Sequence, residues 1–135
     1  MGAADVITCA TTATTPVFDG RRLAPGVHVD AVGAFQPAAR EIDDETVRRA
    51  RVIVDQPGAI ASAGDLAIPL AAGAMARSHV AGELAQVVSG TVAGRTRDEE
   101  ITLFKSVGFA LEDLVAARLA YTRAKIRGFG QEVSL

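Results

Sequence analysis

Hydroxyl and thiol side chains gather directly after the first predicted strand. The β-branched run at residues 6–8 favours a strand, and residues 9–16 follow with five hydroxyl or thiol groups among eight positions. Threonine hydroxyls and backbone N–H groups at such a strand end can bind a phosphate or a ribose. The same composition also forms an ordinary polar turn, and the residues alone favour the turn.

A second strand end has the same form and is the stretch around which we organise the chain. Residues 28–41 read HVDAVGAFQPAARE, an alternating apolar run that breaks at Gly33 and continues as a loop. Val29 and Ala31 fall on one face of the predicted strand and His28 on the other. Ligand crevices of open α/β sheets form at the carboxyl ends of strands, so we expect a binding site here. His28 stands at the opposite end of the strand and is interpreted as structural.

Other kinds of chemistry lack support in the sequence. Ser106, His79 and Asp113 could be assembled into a Ser-His-Asp set, but no nucleophile elbow accompanies them. The sequence contains no GxGxxG, P-loop, HExxH or CxxC motif, and no Cys/His cluster with metal-ligand spacing. We therefore assign no catalytic residue and no metal site.

The pattern of apolar residues predicts an α/β fold with a parallel sheet. Further strands are expected at residues 51–55 and 101–104, separated by about the length of βα units. Asp43 is a predicted N-cap for a helix at residues 44–50. Pro69 is expected to interrupt a separate helix at residues 65–70. Leu84, Val87 and Val88 are expected to point inward. The short helical segments are expected at residues 44–50, 57–63, 65–70 and 82–89.

The longest predicted helix runs from Phe109 to about Arg127 and has two apolar stripes. One stripe contains Ala110, Leu114, Ala117 and Tyr121, and the other contains Leu111, Val115, Leu119 and Ile126. A helix with two apolar stripes is usually buried from two sides, and 135 residues offer little material to cover both. We therefore expect a partner domain or subunit to pack against it.

Composition excludes several classes of function. The chain has 135 residues, 49% of them hydrophobic, which is enough for one domain with a core. Its net charge of -2, scattered basic residues and lack of tryptophan predict no nucleic-acid partner. No apolar run approaches a membrane span, so no membrane partner is expected. The single cysteine, Cys9, fits a reducing cytoplasm.

Several blocks, in this order along the chain, resemble the carboxyl-terminal part of the ornithine cyclodeaminase/mu-crystallin family. The blocks are ADVITCATTATTPVF, PGVHVDAVGAFQPAAREID, RVIVDQ, AGDLAIPL, GELAQVVSG and ITLFKSVGFALEDLVAARLAY. The most specific are HVDAVGA with the following P and RE, and LFKSVG with the following ALEDL. The resemblance covers essentially the whole chain.

The resemblance implies a fold, a cofactor and partners. Residues 1–108 should form the later half of a Rossmann-type NAD(P)-binding domain, and residues 109–135 a helix and tail that return to a substrate and dimerisation domain. The glycine-rich loop should lie upstream, so we expect a fragment that needs an amino-terminal half or a complementary chain. NAD(H) or NADP(H) is the implied cofactor, with a small imino or amino acid as substrate and a homodimer as the complete form.

By this resemblance, seven residues should approach the cofactor at three strand ends. Small residues there permit close approach of a ring, and the helix N-terminus near Gly108 supplies free N–H groups. The first pair should meet the cofactor where the first strand ends, and the others should lie beside the nicotinamide. The seven residues are Thr11 and Thr12, then Val32, Gly33 and Ala34, then Ser106 and Val107.

One departure from the family pattern concerns the reaction. Cyclodeaminases of the family carry an aspartate after a Gly-Gly pair at this strand end, whereas this chain has Gly33, Ala34 and Phe35. Phe35 cannot transfer a proton, so we favour reduction of a ketimine or a pyrroline-carboxylate. The alternatives are ornithine cyclodeaminase, which forms L-proline and ammonia from L-ornithine, and a non-catalytic truncated remnant. A third and weaker hypothesis is that the protein carries a hydrophobic ligand.

Overall fold

A parallel five-stranded sheet is the centre of the structure. The computed structural model describes residues 4–131 and 133; residues 132, 134 and 135 of the expected tail lie outside the described part. The strands are β1 (Val6–Cys9), β2 (His28–Ala31), β3 (Arg51–Val54), β4 (Val80–Glu83) and β5 (Thr102–Lys105). They pair in the order β1-β2-β5-β3-β4, and every pairing is parallel. The predicted α/β class with parallel strands is confirmed.

Helices and turns connect these strands. In the described ranges, 3-10 turns occupy Gly20–Arg22 and Arg77–His79. The α-helices are α1 (Asp44–Arg49), α2 (Ala59–Ser62), α3 (Gly64–Ala71), α4 (Leu84–Val88) and α5 (Ala110–Arg127). Within this described part, no helix combines the length and the apolar character that crossing a membrane requires.

Alternation along the strands builds one main core. Val29 and Ala31 are completely buried on one face of β2, as predicted, beside Val52 of β3 and Leu103 of β5. Leu66 of α3 packs into the same cluster. Each fully buried aliphatic side chain of this size contributes about 1.5–3 kcal/mol through removal from water. This core fixes the register of the three central strands, and therefore where their carboxyl ends lie.

Helix α1 is capped as the sequence predicts. The Asp43 carboxylate accepts hydrogen bonds from the Thr46 amide at 2.8 Å and the Thr46 hydroxyl at 2.7 Å. It also accepts one from the Gly20 amide at 2.9 Å, which attaches the helix start to the preceding 3-10 turn. The acids of the first turn and the arginines of the last turn suit the helix dipole.

Three local predictions were wrong. Residues 80–83 form strand β4, where no strand was expected and residues 82–83 were assigned to a helix, because pairing with β3 outweighs the weak strand propensity of Ala and Gly. Helix α3 continues through Pro69, because the fixed φ of proline is helical; the cost is a missing N–H donor and crowding of the carbonyl four residues earlier. The Pro69 carbonyl accepts a hydrogen bond from the Ala74 amide at 2.8 Å, which closes the turn after the helix. Leu84 is 37% exposed and Val88 is 81% exposed rather than inward, because little in the described part covers that side of α4.

Helix α5 has both apolar stripes exposed. Leu114 is 61% exposed and Val115 65%, although they belong to different stripes, and Ile126 is 80% exposed. The helix ends at Gly128, whose φ of +66° allows a left-handed cap. The described residues therefore provide no cover for either stripe. The predicted division into residues 1–108 and 109–135 stays a prediction.

Candidate functional site

Three loops lie side by side at the carboxyl edge of the sheet. Because all strands are parallel, the ends of β1, β2 and β5 meet at one edge, and these strands are neighbours in the sheet. We call residues 10–13, 32–35 and 106–109 the exit loops. All seven residues assigned to the cofactor from the sequence lie in the exit loops. The structure therefore brings the three predicted sets to one edge of the fold.

Backbone hydrogen bonds join the second and third exit loops to their neighbouring strands. The amides of Val32 and Gly33 donate to the Cys9 carbonyl at 2.9 Å and 3.3 Å. The Ser106 amide donates to the Ala31 carbonyl at 3.2 Å. The sheet ladder thus continues into the loops, and the loops take a defined position relative to one another.

The Glu41 carboxylate binds two exit loops from inside the fold. Its Oε1 accepts the Thr11 amide at 2.5 Å, and its Oε2 accepts the amides of Gly33 at 2.8 Å and Ala34 at 3.1 Å. Glu41 has no exposed surface. Three N–H donors and a charged acceptor form stronger hydrogen bonds than neutral pairs do. The first and second exit loops are therefore held together by one side chain.

A buried ion pair supports Glu41. Its amide donates to Asp65 Oδ1 at 2.7 Å, and Asp65 Oδ2 lies 2.9 Å from Lys105 Nζ. Lys105 also donates to the Ala31 carbonyl at 2.9 Å, at the end of β2. The side chains of Asp65 and Lys105 are both 0% exposed. Since both charges are paired and hydrogen bonded, their burial beneath the loops is compatible with a stable fold.

Asp55 organises the third exit loop. Its Oδ2 accepts the Ser106 hydroxyl at 2.9 Å and the amides of Val107 at 2.7 Å and Gly108 at 2.9 Å. The Gln56 side chain donates to the Gly108 carbonyl at 3.1 Å. These bonds fix the turn that leads into α5.

The seven predicted residues differ in what they present to a ligand. Thr11 and Thr12 are exposed, and Val32 is 38% exposed, so these side chains are accessible at the edge. Ala34 is 1% exposed and faces the interior. The Ser106 hydroxyl already donates to Asp55. The assignment of all seven residues to the cofactor stays a prediction.

Glu41, Asp55, Asp65 and Lys105 were missed by sequence reasoning. For Asp55 and Lys105 the signal was a charge beside an apolar strand, since Asp55 directly follows RVIV and Lys105 ends TLFK. Glu41 and Asp65 had no such local signal. Charged residues are rarely buried unless they are paired. A charge at the end of a buried strand therefore indicates a polar network beneath a loop.

The residues set aside in the sequence have structural partners. His28 Nδ1 lies 2.7 Å from Thr102 Oγ1, and its Nε2 lies 3.1 Å from Asp30 Oδ1. His79 Nε2 lies 2.6 Å from the Val47 carbonyl oxygen. Among the described residues, no group of three or more His, Cys, Asp or Glu side chains is arranged to hold a metal ion.

Acid should destabilise the site through Glu41. Burial alone raises the pKa of its carboxyl, but hydrogen bonds from Thr11, Ala34 and Gly33 outweigh burial and leave the pKa below its ordinary value. A lowered pKa means that the carboxylate stabilises the fold above its ordinary pKa of about 4.3. That stability is lost as the pH falls through the folded-state pKa. Urea unfolding between pH 7 and pH 3 should therefore show a smaller pH-dependent loss in Glu41→Gln than in the unsubstituted chain.

Asp43 has a lowered pKa for a similar reason, since the Gly20 and Thr46 hydrogen bonds outweigh the effect of burial. A residual loss of stability in acid is therefore expected in Glu41→Gln. Equal losses in both chains would contradict the account of Glu41.

Cys9 should be nearly inert in the folded chain. Burial, together with the nearby negative charges of Glu41 and Asp65, raises the pKa of its thiol to about 11. The side chain is 3% exposed. At pH 8 a disulfide reagent should react about 100-fold more slowly with the native chain than with the chain in urea, because the thiolate is scarce. Equal rates in the two conditions would show that Cys9 is accessible.

The fold and the exit loops define a class of protein. A parallel α/β sheet whose neighbouring strands end in loops at one carboxyl edge is the arrangement found in dinucleotide-binding domains. Residues 1–128 match the ornithine cyclodeaminase/mu-crystallin family, and the chain belongs to that family.

Individual relatives agree with this assignment. The chain is 42% identical over 132 residues to the Δ1-pyrroline-2-carboxylate reductase of Bacillus cereus, covering 96% of this chain and 40% of the relative. It is 44% identical over 119 residues to the ketimine reductase mu-crystallin of Mus musculus, covering 87% and 35% of the two chains. It therefore spans about 40% or less of the length of these curated relatives.

A solved structure shares the fold. The Δ1-pyrroline-2-carboxylate reductase of Thermococcus litoralis, in complex with NADH and L-proline, superposes with a TM-score of 0.88 at 41% identity. The similarity covers 98% of this chain and 41% of that protein. The parallel sheet and the carboxyl-terminal helix are thus shared with a NADH-binding family member.

Proposed function

We propose that this chain forms the nicotinamide side of an NAD(P)H-dependent reductase of a small cyclic imino acid, of the Δ1-pyrroline-2-carboxylate type. The observation that carries the proposal is the meeting of three exit loops at one edge of the sheet. The similarity to two reductases over nearly the whole chain supports the same reaction class.

The residues at this edge fit the nicotinamide end of the cofactor. Val32 offers a partly exposed apolar side chain, and Thr11 and Thr12 offer exposed hydroxyls. The 135 residues contain no GxGxxG motif, so pyrophosphate binding is assigned to other residues of the complete enzyme. Bound NAD(P)H would supply the hydride. The exit loops would orient the ring, because buried hydrogen bonds hold them in place.

Phe35 favours reduction over cyclodeamination. It follows Ala34 in the second exit loop and is 59% exposed. A phenyl ring cannot donate or accept a proton, whereas it can form an apolar wall against a substrate ring. We therefore place L-ornithine second to a cyclic imine as the substrate.

The remaining parts of the proposal concern partners and location. The two exposed stripes of α5 support a homodimer or a further domain that covers them in the complete enzyme. The single buried cysteine supports a cytoplasmic location.

Activity in a chimera tests this proposal. Residues 1–128 would replace the matching segment of the Bacillus cereus reductase, which this chain resembles at 42% identity. We expect oxidation of NADH or NADPH with Δ1-pyrroline-2-carboxylate and no release of ammonia from L-ornithine, with the unsubstituted reductase as control. Ammonia release without imine reduction would instead favour ornithine cyclodeamination over imine reduction. No turnover with any substrate would favour the non-catalytic remnant.

A further inference from the structure

Glu41 lies beneath the exit loops and presents no surface to a ligand. Its two oxygens receive three amides from two loops, at distances of 2.5 Å, 2.8 Å and 3.1 Å. Thr11 is 30 residues away in the chain and Gly33 is 8 residues away. The side chain thus sets the separation of two loops that the chain itself leaves far apart.

The space around this carboxylate is closed. A Cβ added at Gly33 would overlap the backbone of Thr11 and lie 2.5 Å from Glu41 Oε1. The carboxylate therefore occupies the room beside the second exit loop that a side chain at position 33 would need. The backbone of Glu41 is held in turn by Asp65, which accepts its amide at 2.7 Å. A change at Glu41 cannot be absorbed by a small shift of its own backbone.

We propose that Glu41 is a positioning residue for hydride transfer, which sets where the first two exit loops hold the nicotinamide ring relative to the substrate. This inference rests on the proposed function. The chemistry requires an ionised carboxylate, because it has acceptors only. Glutamine would direct an NH₂ group towards backbone N–H donors and would separate the loops.

Kinetics of the chimera test the positioning role. A misplacement of about 1 Å costs on the order of 100-fold in rate. For Glu41→Gln we expect kcat to fall about 10- to 100-fold while the substrate KM stays within about 3-fold. The isotope effect on kcat with deuterated cofactor should rise, because hydride transfer becomes more rate-limiting. A purely structural role would lower the amount of folded enzyme and leave this isotope effect unchanged.

Glu45→Gln is the matched control. Glu45 pairs with Arg48 on the surface of α1 and contacts no exit loop, so kcat should stay within about 2-fold. Glu41→Asp keeps the charge but is shorter by one methylene, so it should lower kcat in the same direction. This second variant decides the matter if Glu41→Gln fails to fold. An unchanged kcat and isotope effect in a folded Glu41 variant would overturn the proposal.

Amide NMR on the full 135-residue chain separates this inference from the proposed function. Relative to the Glu45→Gln control, Glu41→Gln should shift the amide protons of Thr11, Gly33 and Ala34 upfield and speed their exchange. Unchanged amides would overturn the positioning role whatever the activity. Changed amides with no turnover in the unsubstituted chimera would instead overturn the proposed function, and with it the role in hydride transfer.

Discussion

Replacement of Lys105 by methionine is expected to lower the free energy of unfolding by about 3–5 kcal/mol. The ammonium group lies 2.9 Å from Asp65 Oδ2, and both side chains are 0% exposed. Methionine fills a similar volume but leaves the Asp65 charge without its cation inside the protein. Water cannot replace the lost partner, so the cost of burying that charge is no longer offset. Urea unfolding at pH 7, with the slope compared between variants, measures the change.

The chain offers a matched control and a compensating variant. Lys125→Met removes the only other lysine, which is exposed on helix α5 and lies 5.6 Å from the centroid of the Tyr121 ring. Because this contact is at the surface, the substitution should cost no more than about 1 kcal/mol. Adding Asp65→Asn to Lys105→Met neutralises the unpaired charge and should recover part of the loss, since the Asn oxygen can still accept the amides of Glu41 and Ile42. A Lys105→Met chain within 1 kcal/mol (about fivefold in the equilibrium constant) of the unsubstituted chain would contradict the buried-pair account.

Gly33→Ala is expected to destabilise the chain by about 3 kcal/mol, at the upper end of overpacking costs. The new Cβ would overlap the amide and carbonyl of Thr11 and stand 2.5 Å from Glu41 Oε1. Two of these atoms belong to the backbone of the first exit loop, which cannot rotate away as a side chain can. The loop must shift, and the shift weakens the Glu41 hydrogen bonds as well.

Gly58→Ala is the control for this substitution. Gly58 has a helical φ of -62°, and the nearest atom to an added Cβ is Gln56 Oε1 at 3.5 Å, an ordinary contact. In the same urea experiment, the free energy of unfolding of Gly58→Ala should stay within about 0.5 kcal/mol of that of the unsubstituted chain. If Gly33→Ala were equally neutral, the close packing of the two exit loops would be refuted.

Local patterns were enough to predict most of the fold. Strands β1 and β2, the Asp43 cap and the long helix α5 follow from residue types within a few positions of each other. Strand β4 was missed because its four residues, VAGE, become a strand only through pairing with β3. Likewise, the exposure of Val88 depends on which parts of the structure pack nearby, and the sequence does not contain that information locally.

In the candidate site, too, one part could be predicted from the sequence and another part could not. The exit loops could be located because strand ends in a parallel sheet fall at one edge. The network beneath them could not be predicted, since Glu41 meets Thr11 across 30 residues, and the Ala31 carbonyl meets Lys105 across 74. Burial of four charged side chains also runs against the usual preference of such residues for the surface. Only tertiary structure shows that each is paired or hydrogen bonded.

A crystal structure of the chimera with bound NADH tests the central claim most directly. We predict that the nicotinamide ring lies at the carboxyl edge of the sheet, within about 4 Å of the Val32 side chain. The amides of Thr11 and Gly33 should still meet Glu41 in that structure. A ring bound away from the exit loops, with Val32 facing solvent, would contradict the assignment of this edge to the cofactor.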